Sequence, residues 1–414
     1  MNDIDELIQE FALTGVSHLK LKEFAEFANN GADKIIRDDE SEVKLLNFKD
    51  VFNLEKITEK DITSCTSVPK NKLSSYLVRK LDIYITPSSE VPNEIGMSAV
   101  VSEDIPNTVY SYHIARIRIR DFDLVNPYFI SYLFKSKSIR RQIHESSQGI
   151  TRFGLTKPKW ENLVFPIPPI ETQNQIVKVL DSFLELDISL KNELDARKIQ
   201  YGHYRDFLMD DDSIDRELVE LGECLEKIER VNWKSNPNFE PKYVDLSSVD
   251  IESMSIVTTT KIAASTAPSR AQQLIKKNDV LFGSTRPTLN RICSVLEEYD
   301  GHVASTGFCV LRANPSKLSH RYLFHLLNSA SFKLFVSEKQ EGASYPSISD
   351  SAIRAFSFKL PNLQEQERLS DNLDKFLSLL IDKTFGLPAE IVARRKQYEY
   401  YRDELLTFRT LEVS

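Results

Sequence analysis

The most regular pattern of apolar and polar positions in the chain runs from Ile176 to Leu208. Ile176, Leu180, Phe183, Asp187, Leu190, Leu194, Arg197, Tyr201, Tyr204 and Leu208 recur at alternating steps of four and three. All but Asp187 and Arg197 are apolar or aromatic, the a/d seam of a coiled-coil helix. At 1.5 Å per residue the seam measures about 50 Å. A second seam passes through Leu369, Leu373, Phe376, Leu380 and Lys383, then Leu387, Ile391, Arg394, Tyr398, Tyr401, Leu405 and Phe408. Its step from Lys383 to Leu387 is four where three is due, a stutter that unwinds a supercoil locally. Gly386 and Pro388 fall there and predict a kink or break.

The two seams belong to an internal repeat. IPPIETQNQIVKVLDSF (Ile167 to Phe183) matches LPNLQEQERLSDNLDKF (Leu360 to Phe376) at an offset of 193. ARKIQYGHYRDFL (Ala196 to Leu208) matches ARRKQYEYYRDEL (Ala393 to Leu405), placing Gln200, Tyr201, Tyr204 and Arg205 on Gln397, Tyr398, Tyr401 and Arg402 at 197. The four-residue change of offset is the stutter. Weaker echoes join LVRKLDIYI (Leu77 to Ile85) to LIKKNDVLF (Leu274 to Phe282) and NPYFISYLF (Asn126 to Phe134) to SHRYLFHLL (Ser319 to Leu327). The chain is therefore divided as a first globular domain (1–167), a first spacer helix (168–213), a second domain (214–358) and a second spacer helix (359–414). Each spacer offers one apolar seam, so the pair is expected to pack antiparallel within one molecule and to relate the domains by a pseudo-two-fold axis. Packing of each helix on its own domain, or homodimerisation through the seam, stays open.

The globular segments read as mixed α/β. Strands are expected at Ala115 to Ile119, Val280 to Gly283 and Phe308 to Leu311, and helix starts at Asn126-Pro127 and Ser319. The net charge of -8 conflicts with phosphate binding until its distribution is examined. Lys70 to Trp160 holds 14 Lys/Arg against 8 Asp/Glu, and Thr258 to Gln340 holds 11 against 5. Two basic islands in an acidic chain suit DNA at two places and protein partners elsewhere. Within the islands, Lys70, Lys72, Gln148 and Arg152 in the first domain, and Arg270, Arg286, Asn290 and Arg291 in the second, are candidate DNA contacts. Arg pairs bidentately with guanine, and Asn or Gln with adenine; phosphate contacts or plain surface positions are the competing readings.

Catalytic chemistry is sought and not found. Asn126-Pro127-Tyr128-Phe129 and Asn236-Pro237-Asn238-Phe239 resemble the loop with which amino-methyltransferases grip a flipped base, but both lack the second proline and no GxG occurs in the chain. The first is read as a helix cap, the second as a polar loop. There is no GxxxxGK[ST] phosphate loop, and the histidines near Cys293 and Cys309 lack metal-ligand spacing. Four scattered cysteines point to reduced thiols in a cytoplasm. No apolar run is long enough to span a bilayer, and the acidic start MNDIDELIQE is unlike a signal peptide.

The strings LPNLQEQ, GLPAEIVARRKQYEYYRDELLTF and LDSFLELDISLKNELDARKIQYGHYRDFL resemble the spacers of type I restriction-modification specificity subunits, nearest the type IC group. The stretch SRA…DVLFGSTRP…STGF (Ser269 to Phe308) adds to the likeness; residues 1–69 do not contribute. The resemblance implies a non-catalytic subunit whose two target-recognition domains each read one half of a bipartite, asymmetric DNA sequence, with the spacers setting the unread gap. It further implies two methyltransferase subunits bringing AdoMet, and two motor-nuclease subunits bringing ATP and Mg; this chain would bind no cofactor. Leu180, Phe183, Gln200, Tyr201, Tyr204, Arg205, Leu373, Phe376, Gln397, Tyr398, Tyr401 and Arg402 would then form the spacer and partner-docking surface. A coiled-coil scaffold that binds other proteins, or the specificity subunit of a fused methyltransferase-nuclease system, are the alternative readings.

Overall fold

The structure is a computed structural model that describes Ile4, Ile8 and residues 15–37, 40–210, 215–382 and 384–409. Lys383 of the second seam and most of the acidic N-terminal decapeptide lie outside the described residues. The chain divides into two compact units, Met1–Asp187 with Arg394–Ser414, and Ile188–Ala393. Each unit therefore takes a globular segment, part of the first spacer and part of the second.

In the first unit a five-stranded sheet runs in the order 25–28, 115–119, 83–85, 98–101, 56–57, beside a three-stranded sheet of 64–68, 41–46 and 108–110. The strand Ala115–Ile119 alternates apolar and basic residues, yet Arg116 is buried along with Ala115, Ile117 and Ile119. Covering both faces of a sheet forces its charged positions to find partners. Arg116 reaches Glu26, and Arg118 forks onto the buried Asp82 at 2.6 and 2.7 Å. Helices Pro127–Leu133 and Lys137–Ser146 close the core over Trp160 and Phe165. Asn126 caps the first of them, its side chain accepting from the Tyr128 and Phe129 amides. The NPYF string is thus a helix start.

The second unit has a four-stranded sheet ordered 260–261, 242–244, 303–305, 271–274, and a three-stranded sheet ordered 292–294, 280–283, 308–311. Val280–Gly283 and Phe308–Leu311 are buried at every position, as uninterrupted apolar strands must be. Arg312 forks onto the buried Asp279 at 2.8 Å twice, repeating Arg118–Asp82. Ser319 precedes helix His320–Leu326 as expected, but its hydroxyl makes no cap hydrogen bond. The NPNF string forms a turn whose Phe239 packs on Trp233. Cys293 and Cys309 are core residues, and burial pushes the Cys293 thiol up to about 12.

The first spacer is one helix, Ile170–Met209. The second is two, Leu363–Ile381 and Gly386–Leu405, interrupted at the stutter. Gly386 has φ +81, and a Cβ there would sit 2.6 Å from the Leu379 carbonyl oxygen, so the break needs glycine. Seam packing is intramolecular in both units. Phe183 stacks on Tyr401 (centroids 5.8 Å) and meets Tyr398 in the first; Tyr201 and Tyr204 pack on Phe376 in the second. The same helices also bury side chains in the globular cores, so packing on the domains and packing on the other spacer occur together.

Candidate nucleic-acid interface and spacer seats

The contacts that seat a spacer on a globular core recur in both copies, almost bond for bond. In the first unit the buried Gln173 accepts from the Asn126 amide at 2.9 Å and donates to the carbonyls of Leu124 and Pro168. In the second, Gln366 accepts from the Ser319 amide at 2.8 Å and donates to Lys317 and Pro361. One side-chain amide satisfies three backbone groups beside the start of a helix, among them the N–H of the N-cap residue itself. Just over two helical turns further along the spacer, Asp181 accepts from the Tyr132 hydroxyl at 2.6 Å and Asp374 meets His325 Nε2 at 2.6 Å.

His325 is fully buried between Asp374 and the Tyr201 hydroxyl, which lies 2.9 Å from Nδ1. Desolvation holds its pKa below the usual value against the opposing pull of Asp374. A neutral ring, with Nε2–H donating to Asp374 and Nδ1 accepting from Tyr201, satisfies all three groups. In the first unit Tyr132 stands at the equivalent of His325, and Tyr398 keeps a buried hydroxyl with no hydrogen-bond partner.

The Tyr-Arg-Asp strings anchor the other end of each seat. Arg205 lies over the Tyr201 ring and binds Asp206, whose carboxylate accepts from the Ala330 amide at the start of helix Ala330–Lys339. Arg402 lies over Tyr398 and binds Asp403, which pairs with Lys137 at 3.1 Å. Leu180, Tyr201, Arg205, Leu373 and Tyr401 are buried, and Phe183, Phe376, Gln397, Tyr398 and Arg402 partly so. Leu180, Tyr401, Tyr201 and Leu373 join the globular cores, while Phe183 and Phe376 meet the other spacer and Gln397 accepts from Arg394 of its own helix. Of the spacer candidates only Gln200 and Tyr204 are exposed.

The candidate DNA contacts fall at several places. Lys70 and Lys72 are exposed on helix Lys70–Tyr76. Gln148 and Arg152 share a different loop, closed by reciprocal 3.0 Å backbone hydrogen bonds between Gln148 and Gly154 and pinned by pairing of Phe153 and Gly154 with Ser89 and Ser88. Arg152 donates to the Ser88 hydroxyl at 3.1 Å. In the second unit Arg270 is exposed in the turn before strand Ala271–Leu274. Arg286 is exposed, has φ 50 and lies 4.6 Å over the Tyr345 ring. Asn290 and Arg291 are half-buried: Asn290 donates to Asn328 at 2.9 Å, and the Arg291 guanidinium donates to the Leu246 carbonyl. Their hydrogen bonds serve the fold, which sequence position alone did not reveal.

Other residues join these patches that charge counting missed. His113 is held below its usual pKa by burial and by the charges of Lys34 and Arg152, and the Tyr112 ring lies tilted against it with centroids 4.0 Å apart. Lys34, Tyr112, His113 and Arg152 thus combine positive charge with an exposed aromatic, a pairing suited to nucleic acid. Among the described residues no group of three or more His, Cys, Asp or Glu could hold a metal, and no helix is long and apolar enough to cross a membrane.

Two mixed helix-and-sheet units with repeated spacer seats define a class of duplicated domains on spacer helices. The chain belongs to the type I restriction modification DNA specificity domain family, whose profile matches residues 9–197 and 214–393. The Escherichia coli type I restriction enzyme EcoR124I/EcoR124II specificity subunit is 30% identical over 256 residues, 59% of this chain. The match spans 61% of that relative's length. A chain from a structure of complex assembly and conformational transition of the type I R-M system has the same fold, with a TM-score of 0.66 at 15% identity over 95% of this chain and 98% of that one. The HsdS subunit of Thermoanaerobacter tengcongensis is 36% identical over 40% of this chain and 42% of its own, with a TM-score of 0.37.

Proposed function

We propose that this chain is the DNA-specificity subunit of a type I restriction-modification complex, each globular domain reading one half of a split, asymmetric target in duplex DNA. The observation that carries the reading is an asymmetry of likeness. The Gln173 and Gln366 seats agree bond for bond, whereas the exposed basic segments differ in sequence and in which residues they present. One scaffold carrying two different readers needs that division. The paired spacers act as a ruler for the gap, and the type IC affinity rests on the spacer strings quoted above.

Methyl transfer and cleavage belong to partners in this reading: two methyltransferase subunits with AdoMet, and two motor-nuclease subunits with ATP and Mg, in the cytoplasm. Gln200 and Tyr204, exposed on the first spacer, remain available to such partners. The test is reconstitution with a type I methyltransferase subunit from the same organism. Labelled AdoMet should methylate duplex DNA only when both proteins are present, and Arg286→Ala should weaken DNA binding while leaving the complex assembled. Methylation by the partner alone, at the same sites, would overturn the assignment.

A further inference from the structure

The loop that holds Gln148 and Arg152 has a counterpart in the second unit that no basic residue advertised. Residues 341–347 stand 193 positions after 148–154, the offset of the spacer repeat. Glu341 and Ser347 exchange 2.8 Å backbone hydrogen bonds, as Gln148 and Gly154 do at 3.0 Å. The second residue of each loop is a glycine with positive φ, Gly149 at 139° and Gly342 at 97°. At Gly149 a Cβ would lie 1.9 Å from the Arg152 carbonyl oxygen, so the loop closes only on glycine.

Each loop is also tied to a neighbouring segment of its own unit. Ser88 and Ser89 pair with Gly154 and Phe153, while Thr285 bridges Ser347 and the Arg286 amide donates to the Pro346 carbonyl at 2.7 Å. These are two rigid lariats, and their tips are exposed. Ile150 is 93% exposed and Tyr345 71%. Holding a large apolar side chain in water on a braced loop gains nothing for the fold.

Each tip also sits beside an arginine, reached by a different route. Arg152 comes from the first lariat itself, whereas Arg286 comes from the segment that braces the second and stacks on Tyr345. Lys34 adds to the positive surroundings of the first.

We propose that loops 148–154 and 341–347 are the specificity-determining loops of the two domains, with Ile150 and Tyr345 contacting base edges in a DNA groove while Arg152 and Arg286 hold it. An apolar tip suits the thymine methyl in the major groove, and an aromatic ring with an attendant guanidinium suits a base edge or face. The proposal rests on the DNA-specificity reading and names the residues that would carry it.

The experiment maps N6-methyladenine genome-wide in cells carrying the same methyltransferase subunit with the wild-type chain, Ile150→Ala or Tyr345→Ala. Complex assembly is checked by co-purification. The expected result is a split motif for wild type that becomes roughly tenfold less selective at one position in one half. The Ile150 variant should relax one half and the Tyr345 variant the other. If both variants assemble and keep the wild-type motif, the loop assignment fails and the specificity reading stands. A wild-type chain that assembles and directs no motif overturns both.

Discussion

Replacing Gln366 by leucine removes a side chain of similar size from a fully buried site and isolates the value of its hydrogen bonds. Three backbone groups lose their partner: the Ser319 N–H at 2.8 Å, the Lys317 carbonyl at 3.0 Å and the Pro361 carbonyl at 2.8 Å. Each buried polar group left unpaired costs about 1–3 kcal/mol, and the three share one site, so the penalties overlap. A net loss of about 3–5 kcal/mol follows, large for one substitution but of a recognised kind. For a folding unit of this size that lowers the midpoint of unfolding by roughly 10 °C. Differential scanning calorimetry on the wild type, Gln366→Leu and the exposed-site control Gln200→Leu measures it. Gln366→Glu adds a sharper check. Its carboxylate can accept from Ser319 but would face two carbonyl oxygens, so burial raises its pKa and the variant should regain stability, relative to wild type, as the pH falls. A midpoint for Gln366→Leu within about 2 °C of the control would refute the view that this amide seats the spacer.

Asp279→Asn should destabilise the second unit by about 3–5 kcal/mol, because Arg312 keeps its buried charge without a counter-ion; chemical denaturation reads this. His325, whose folded pKa lies below its ordinary 6.5, contributes stability that is present above that value and lost as the pH falls below it. His325→Gln should therefore flatten the loss of thermal stability of this unit between pH 7 and 5, and an unchanged slope would contradict the neutral ring. Gly149→Ala should leave the unfolding midpoint nearly unaltered but weaken DNA binding at one half-site, as read by anisotropy with a duplex of the mapped motif; global unfolding would show the lariat to be structural instead.

The seams were legible because helical periodicity survives wherever a helix buries one stripe, and the break at Gly386 because backbone sterics leave glycine no substitute. Strands Val280–Gly283 and Phe308–Leu311 could be read because their apolar runs are buried on both faces, and Ala115–Ile119 because its β-branched residues alternate with arginines. The reading surface was less legible. Asn290 and Arg291 look like loop readers, yet they turn to Asn328 and to the Leu246 carbonyl, partners far away in sequence. Loop 341–347 holds no Lys or Arg and escaped a search by charge. The signal that could have found it was the repeat itself, carrying Gln148-Gly149 onto Glu341-Gly342 at 193. The Tyr201–His325–Asp374 chain was hidden because it joins three segments, although Asp181 and Asp374 were already aligned.

One chain carrying two different DNA readers on repeated spacer seats has a distinctive output in the methylation it directs. The most direct test is the N6-methyladenine map of cells expressing the wild-type chain with the same methyltransferase subunit. A new motif of two short, unlike blocks around a fixed unread gap is expected, absent when this chain is deleted. A stable complex that yields no such motif, or one whose motif persists without this chain, would contradict two readers on one chain.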